Sequence, residues 1–99
     1  MIDGIYTVKA KTPLGRKEGM LVAVTSGTSC LAELTVGKRS KRLEGTVQND
    51  VVTFEGSIKL PSPIGQTNFL ITGTVEGDEL KALCTTKKFK FDIAGTRVA

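Results

Sequence analysis

Histidine and tryptophan are both absent from this chain of 99 residues. Without histidine, the chain lacks the commonest metal ligand and the commonest general base at neutral pH. Its ten acidic residues fall in turns or at outward strand positions and form no acid–base pair. The sequence therefore predicts a protein that is not an enzyme and that holds no metal or other cofactor.

Cysteine is scarce as well, since the chain has only Cys30 and Cys84, with no Cys-x-x-Cys spacing. Two cysteines so placed form neither a dense disulfide framework nor a zinc site. Both occupy positions that are predicted to face the core, on strands far apart in the predicted fold. We therefore expect two buried, inert thiols and no disulfide between them.

Long apolar runs are also missing, and none approaches the roughly 18 consecutive apolar residues of a membrane-spanning helix. Residues 1–6 lack the basic and then apolar segments of a signal peptide. These absences predict a cytoplasmic location and no membrane partner. The net charge of +4 is only mildly basic, so it indicates a charged partner only if the positive charges are grouped on one part of the surface.

Strand patterns dominate the sequence, and helical patterns are missing. Short alternating runs rich in Val, Ile, Thr, Leu and Phe are separated by turn residues roughly every eight to twelve positions. We predict strands over residues 4–11, 17–25, 29–37, 40–48, 51–60, 66–76, 79–86 and 88–97. Short connections permit only antiparallel neighbours, and a meander this long normally closes to remove its edges. The predicted fold is all-β: a single-domain, eight-stranded antiparallel up-and-down barrel over residues 1–99.

The two halves of the chain resemble each other at an offset of 50 residues. Residues 9–15 (KAKTPLG) and 59–65 (KLPSPIG) share Lys, Pro and Gly at the same places, and further identities fall on turn glycines. Turn residues determine backbone geometry, so a true duplication would keep them. We predict two four-stranded repeats, about residues 1–49 and 50–99, with the two Pro-Gly hairpins at the same end of the barrel.

Alternation along the strands identifies the inward face, and all the aromatic side chains lie on it: Tyr6, Phe54, Phe69, Phe89 and Phe91. The second strand is ambiguous, because Met20, Val22 and Val24 compete with Leu21 and Ala23 for the interior. The repeat favours Leu21 and Ala23. Either choice leaves an apolar stripe outside, which is typical of a homodimer or partner contact.

Four glycines fall at inward mid-strand positions, namely Gly45, Gly56, Gly73 and Gly95. Glycine at such a position lets a strand bend sharply, as small barrels require. The same glycines would also leave room for a ligand, because an eight-stranded barrel either just fills its interior or encloses one small molecule.

Basic residues gather at the end of the barrel that holds the first, third, fifth and seventh turns: Lys11, Arg16, Lys17, Lys38, Arg39, Lys41, Arg42, Lys87 and Lys88. Acidic residues gather at the opposite end: Asp3, Asp50, Glu76, Asp78 and Glu79. Two explanations of this charge separation are open. Turns are solvated and charged in most proteins, and lysines beside strands protect against aggregation. Alternatively, the positive rim attracts an anionic ligand. Nucleic acid is the less favoured anion, because the inward aromatic residues leave no platform for stacking bases.

The opening Gly4-Ile5-Tyr6 resembles the Gly-x-Trp start of lipocalins and avidins, with Tyr in place of Trp. The Gly-Thr pairs within residues 43–46, 71–75 and 93–96 are similar to strand segments of avidin-type barrels. The resemblance implies a calycin-like architecture, whose members mostly bind small molecules inside the barrel. The chain lacks a Trp to line a biotin-like pocket and is shorter than typical lipocalins, so no binding residue is carried over.

Two functions are compatible with these patterns. In the first, a small apolar or amphipathic anion binds at the barrel mouth, with its body among the five aromatic residues. Its acidic head then meets Arg16, Lys17, Lys38, Arg39 and Lys88, and the barrel needs a cavity of several hundred cubic ångströms. The alternative is a structural or protein-interaction module with a fully packed core, acting as a homodimer or partner domain.

Overall fold

The computed structural model describes residues 2–12, 15–60 and 65–99. Eight strands account for most of them: β1 Gly4–Thr12, β2 Gly15–Ser26, β3 Ser29–Val36, β4 Arg39–Gln48, β5 Val51–Leu60, β6 Gly65–Glu76, β7 Glu79–Thr85 and β8 Lys90–Arg97. Every strand bound lies within two residues of its predicted position. The two Pro-Gly hairpin tips, residues 13–14 and 61–64, lie outside the described residues.

The strands form a closed barrel in chain order, and each strand is antiparallel to the next. β8 closes the ring against β1, from Tyr6 opposite Arg97 to Ala10 opposite Ile93. This confirms the predicted eight-stranded meander barrel. The β1–β2, β3–β4, β5–β6 and β7–β8 connections lie at one end, and both termini lie at the other.

The tight turns are made by residues that tolerate positive φ. Gly27 and Gly77 have φ of 60° and 61° at the β2–β3 and β6–β7 turns, which are separated by the predicted offset of the repeat. In the β4–β5 turn, Asn49 and Asp50 both have positive φ, as two-residue type I′ hairpins require. The duplication itself stays a prediction.

The core is the inward face that the alternation predicts. Tyr6, Val8, Ala23, Leu43 and Phe54 are all buried within it. Among residues 20–24, Ala23 is buried and Leu21 packs against the core, whereas Met20, Val22 and Val24 are exposed. This confirms the inward face that the repeat favours. Both cysteines are buried free thiols, as expected.

The barrel interior is filled. The apolar cavity at its centre has a volume of about 40 Å³, far below the several hundred that a ligand with its body inside the barrel requires. The prediction of a large internal cavity is therefore wrong.

The physical reason lies in the inward glycines, whose space is taken by neighbouring groups. A Cβ at Gly45 would lie 2.0 Å from the Thr53 carbonyl oxygen, and one at Gly56 would lie 3.0 Å from the Phe69 ring. At Gly73 and Gly95 the nearest atoms are Ala82 Cβ at 2.9 Å and Val8 Cγ1 at 3.0 Å. The glycines thus admit adjacent strands and side chains into the core.

No helix that is long and apolar enough to cross a bilayer occurs in residues 2–12, 15–60 and 65–99.

Candidate functional site: the basic mouth

The barrel end that carries the four hairpin connections has a cationic half and an aromatic half. Inward positions on β2 and β4 supply the cations, and inward positions on β6 and near β8 supply aromatic rings. β2 to β4 occupy one side of the ring and β6 to β8 the other. We call this region the basic mouth and define it by Lys17, Arg39, Lys41, Phe69, Phe89 and Phe91.

Strand register places the cations of the mouth on the inward face. Lys17 pairs with Ala10, and Lys41 pairs with Leu34. Residues that pair directly across two strands share a face, so both lysines take the inward face of their partners. Lys41 is half-buried, whereas Lys17 is exposed.

Arg39 pairs with Val36 at the end of the β3–β4 ladder, again on the inward face. Its side chain is exposed. Leu43, the next inward residue of β4 after Lys41, is buried in the core. The cationic half of the mouth thus has an apolar floor.

The aromatic half is built from a stacked pair and a buried ring. The Phe89 and Phe91 rings lie with their centroids 6.0 Å apart and an interplanar angle of 23°. Both are half-buried, and Phe91 packs against the core. Phe69 is buried against Gly56. The expectation that every aromatic ring lies fully inside is therefore corrected for Phe89 and Phe91, which remain partly exposed at the mouth.

Thr86 determines where Phe89 lies. Its hydroxyl accepts hydrogen bonds from the amides of Lys88 and Phe89, at 3.2 and 3.0 Å, and donates one to the Phe89 carbonyl at 2.9 Å. Residues 86–89 therefore form a turn, and β8 begins at Lys90 rather than at the predicted residue 88. The turn presents Lys87 and Lys88 to solvent.

The other predicted site residues do not all meet at the mouth. Arg16 pairs with Lys11 on the outer face of the β1–β2 hairpin, and Lys38 lies in the β3–β4 turn. Tyr6 and Phe54 are buried in the core, where they line the small internal cavity. The structure thus separates two of the five predicted aromatic residues from the mouth.

Glu18 is the one acid that the sequence places at this end, and it faces a lysine. Its Oε1 lies 4.0 Å from Lys9 Nζ, and both side chains are exposed. At such exposure the pair contributes little to stability.

An open groove of about 680 Å³ lies beside the mouth, between the β5–β6 hairpin and the β7–β8 turn. Its lining combines Phe69 and Leu70 with polar groups and carries one charge of each sign, Glu55 and Lys87. Sequence reasoning missed this groove, because it depends on where β7 stops pairing with β6, at Leu70 and Thr85.

Tyr6 is instead part of a polar cluster at the opposite end. Its hydroxyl donates to the Ile2 carbonyl at 2.6 Å and accepts from Arg97 Nη2 at 2.8 Å. The guanidinium carbon lies 5.3 Å from the centre of the Tyr6 ring, and Nη1 lies 3.8 Å from Asp78. The hydrogen bond to Tyr6 raises the pKa of Arg97.

Sequence reasoning did not single out Arg97, although a signal for it was present. Continuing the alternation of Phe91, Ile93 and Gly95 places Arg97 on the inward face. A charged side chain there needs a polar or aromatic partner, since burying it unpaired is costly. The cluster thus gives the Arg97 guanidinium both a polar and an aromatic partner.

No reactive or metal-binding constellation occurs in the described part of the chain. Burial raises the pKa of both thiols, with a further rise at Cys30 from the nearby charge of Asp3. The thiols are therefore held in their less nucleophilic protonated form. Among the described residues, no three His, Cys, Asp or Glu side chains are close enough to hold a metal ion.

Comparison with known proteins supports the architecture. No family model and no curated protein matches the chain. A redesigned β-barrel, mFAP1, whose structure contains bound DFHBI, is similar to it with a TM-score of 0.63. The two are 16% identical, and the match covers 98% of this chain and 94% of that one. At this identity the likeness shows the fold alone, and the calycin-like resemblance stays a prediction.

Proposed function

We propose that this barrel is a non-enzymatic binding protein that takes a small amphipathic anion at its basic mouth. The observation that carries the proposal is the division of the mouth into two halves. Lys17, Arg39 and Lys41 would meet the anionic head, and the Phe89–Phe91 pair would pack against the apolar body.

The filled core determines how such a ligand binds. With about 40 Å³ inside, the barrel has no room for a chain or ring system. The ligand therefore lies across the mouth, above the apolar floor, and remains partly in contact with solvent. A cationic rim raises the local concentration of anions, and the exposed aromatic surface discriminates between apolar and purely polar ones. The mFAP1 barrel, of similar fold, also carries a bound ligand.

The test compares two amphipathic probes of opposite charge by isothermal titration calorimetry, dodecanoate and dodecyltrimethylammonium. We expect dodecanoate to bind and the cation to bind far more weakly. The double variant Lys17→Gln/Lys41→Gln should weaken dodecanoate binding by about tenfold, since two inward cations are lost.

The matched control is Lys81→Gln/Lys90→Gln, which removes the same net charge from exposed outer positions on β7 and β8. It should leave dodecanoate affinity close to that of the unchanged protein. Equal binding of the two probes, or equal losses in the two double variants, would overturn the proposal.

A second candidate function is a homodimer or partner contact through the outer surface of β2 and β3. Four exposed apolar side chains adjoin one another there, Met20, Val22, Val24 and Leu31, and we call them the outer apolar face. Val24 and Leu31 pair directly and are 56% and 54% exposed. A packed core agrees with this second candidate.

Because both cysteines are free, we also propose a reducing, cytoplasmic location.

A further inference from the structure

The two junctions between the halves of the barrel are its two shortest strand ladders. The first half, residues 4–48, holds β1 to β4, and the second half, residues 51–97, holds β5 to β8. Among the described residues, β4 and β5 pair at four positions, and β1 and β8 pair at five. Every ladder within a half has seven pairs or more. The barrel therefore divides most readily into these two halves.

A single turn connects the two halves along the chain, because β8 and β1 are not consecutive in sequence. In that turn, Asn49 has a φ of 50° and Asp50 a φ of 65°. The β2–β3, β3–β4 and β6–β7 turns place a glycine at positive φ instead, namely Gly27, Gly37 and Gly77. Positive φ costs more for a residue with a Cβ than for glycine. The connection between the halves thus carries backbone strain, which an extended conformation would relieve.

Each half needs the other to cover its inner face. Tyr6 and Leu43 in the first half and Phe54 and Phe69 in the second belong to one buried core. The hydrogen bond from Arg97 to the Tyr6 hydroxyl also crosses from the second half to the first. The second half of another copy carries the same groups in the same arrangement, so it fits the first half equally well.

We propose that a second copy of this chain exchanges halves with the first and forms a dimer of two complete barrels. In each barrel, β1 to β4 of one copy pair with β5 to β8 of the other, and residues 48–51 cross between the barrels in extended form. Exchange of an identical element is a low-cost route to a dimer, and a short, strained hinge favours it. Separation requires both junctions of each barrel to break. The dimer therefore forms when chains fold together at high concentration, and it persists on dilution.

The test compares a cysteine pair across a junction with a cysteine pair inside one half. Thr46 and Thr53 are directly opposed on β4 and β5, and Thr74 and Lys81 are directly opposed on β6 and β7. Directly opposed strand residues lie within the reach of a disulfide. Thr46→Cys/Thr53→Cys and Thr74→Cys/Lys81→Cys are unfolded with reductant, refolded over a range of chain concentrations, and oxidised only after folding, when Cys30 and Cys84 are buried.

We expect Thr46→Cys/Thr53→Cys to give a covalent dimer on a non-reducing denaturing gel, in a fraction that rises with the concentration during refolding. Thr74→Cys/Lys81→Cys should give only monomers, because its two cysteines stay in the same half of the same chain. A dimer through the outer apolar face would link the chains in neither variant. The proposal is overturned if the junction pair gives only monomers at every concentration, or if the two variants link chains equally.

Variants of the hinge test the role of its strain in the Thr46→Cys/Thr53→Cys background. Asp50→Gly should lower the dimer fraction, since Asn-Gly is a favoured type I′ pair. Asp50→Val should raise it, since a β-branched residue disfavours positive φ. Both changes remove the same carboxylate, and two hinges open in each dimer. The ratio of dimer to monomer should therefore differ at least about tenfold between them. Equal ratios would show that the hinge does not drive the exchange. The dodecanoate titration is independent of these outcomes.

Discussion

Asp3 attaches the start of the chain to the end of β2. Its carboxylate accepts hydrogen bonds from both the hydroxyl and the backbone amide of Thr25, the latter at 3.1 Å. These bonds stabilise the ionised form and lower the pKa of Asp3 below its ordinary value. Since the folded-state pKa is below the unfolded one, ionised Asp3 stabilises the fold above the unfolded pKa. The contribution is lost as the pH falls through the folded pKa.

We therefore predict that Asp3→Asn lowers the free energy of unfolding near pH 7 and matters progressively less in acid. The difference from the unchanged protein should be complete above about pH 5, should shrink as the pH falls below about 4, and should be lost only below the lowered folded-state pKa. Urea unfolding at a series of pH values measures it. Asp92→Asn, an exposed carboxylate on β8, is the control. A difference that is the same at every pH would contradict the role given to Asp3.

Gly45 controls the course of two strands. It marks the last pair between β4 and β5, and a Cβ built on it would lie 2.0 Å from the Thr53 carbonyl oxygen. The sequence predicted a bend there, because a glycine at an inward mid-strand position has no packing role of its own. The sequence could not predict that the pairing ends at that residue, since this depends on contacts between strands.

Gly45→Ala should lower the free energy of unfolding by about 1–3 kcal/mol, the usual cost of forcing an extra methyl group into a packed site. The new Cβ would meet the Thr53 carbonyl oxygen and the Phe54 ring, and the backbone oxygen cannot rotate away. Gly37→Asn is the control, because its φ of 60° suits asparagine and its surroundings are open. Urea unfolding of both variants should show the larger loss for Gly45→Ala. Equal stability would mean that the strands separate readily.

At the level of strands, most of the fold could be predicted, because alternation and turn residues are local signals. The start of β8 is a boundary that these local signals did not predict correctly, and Thr86 is the reason. Its hydroxyl bonds to residues 88 and 89 shift the start of β8 to Lys90 and leave Phe89 half-exposed at the mouth. Lys88 and Phe89 continue the alternation of Lys90 and Phe91, so the sequence alone favoured the longer strand.

Whether the interior is filled depends on the packing of the whole barrel. An eight-stranded ring lies at the boundary between a packed and a hollow barrel, and small differences in strand stagger and side-chain volume decide the outcome. Inward glycines suggested spare volume, but Phe54 and Phe69 occupy the space beside Gly45 and Gly56. The sequence could place the charged residues of the candidate site at one end of the barrel, because their position depends on strand order. It could not predict the cavity volume, because that depends on how the side chains pack.

Charge and apolar surface are segregated on this barrel, which leads to a prediction about assembly. The outer apolar face lies on β2 and β3, along the side of the barrel and away from the repulsive basic mouth. Two copies related by a twofold axis would bring Val24 and Leu31 of each chain against the same residues of the other. We predict a concentration-dependent dimer whose interface is centred on this pair.

Sedimentation velocity over a range of concentrations measures the dimer. Val24→Lys should shift the chain to monomer, because each copy would bring an unpaired charge into an apolar contact. Leu83→Lys is the matched control, since Leu83 is also exposed but lies on β7, across the barrel. It should leave the dimer intact. If the unchanged protein is monomeric at every concentration, or if both lysine variants dissociate it equally, the outer apolar face is not the interface.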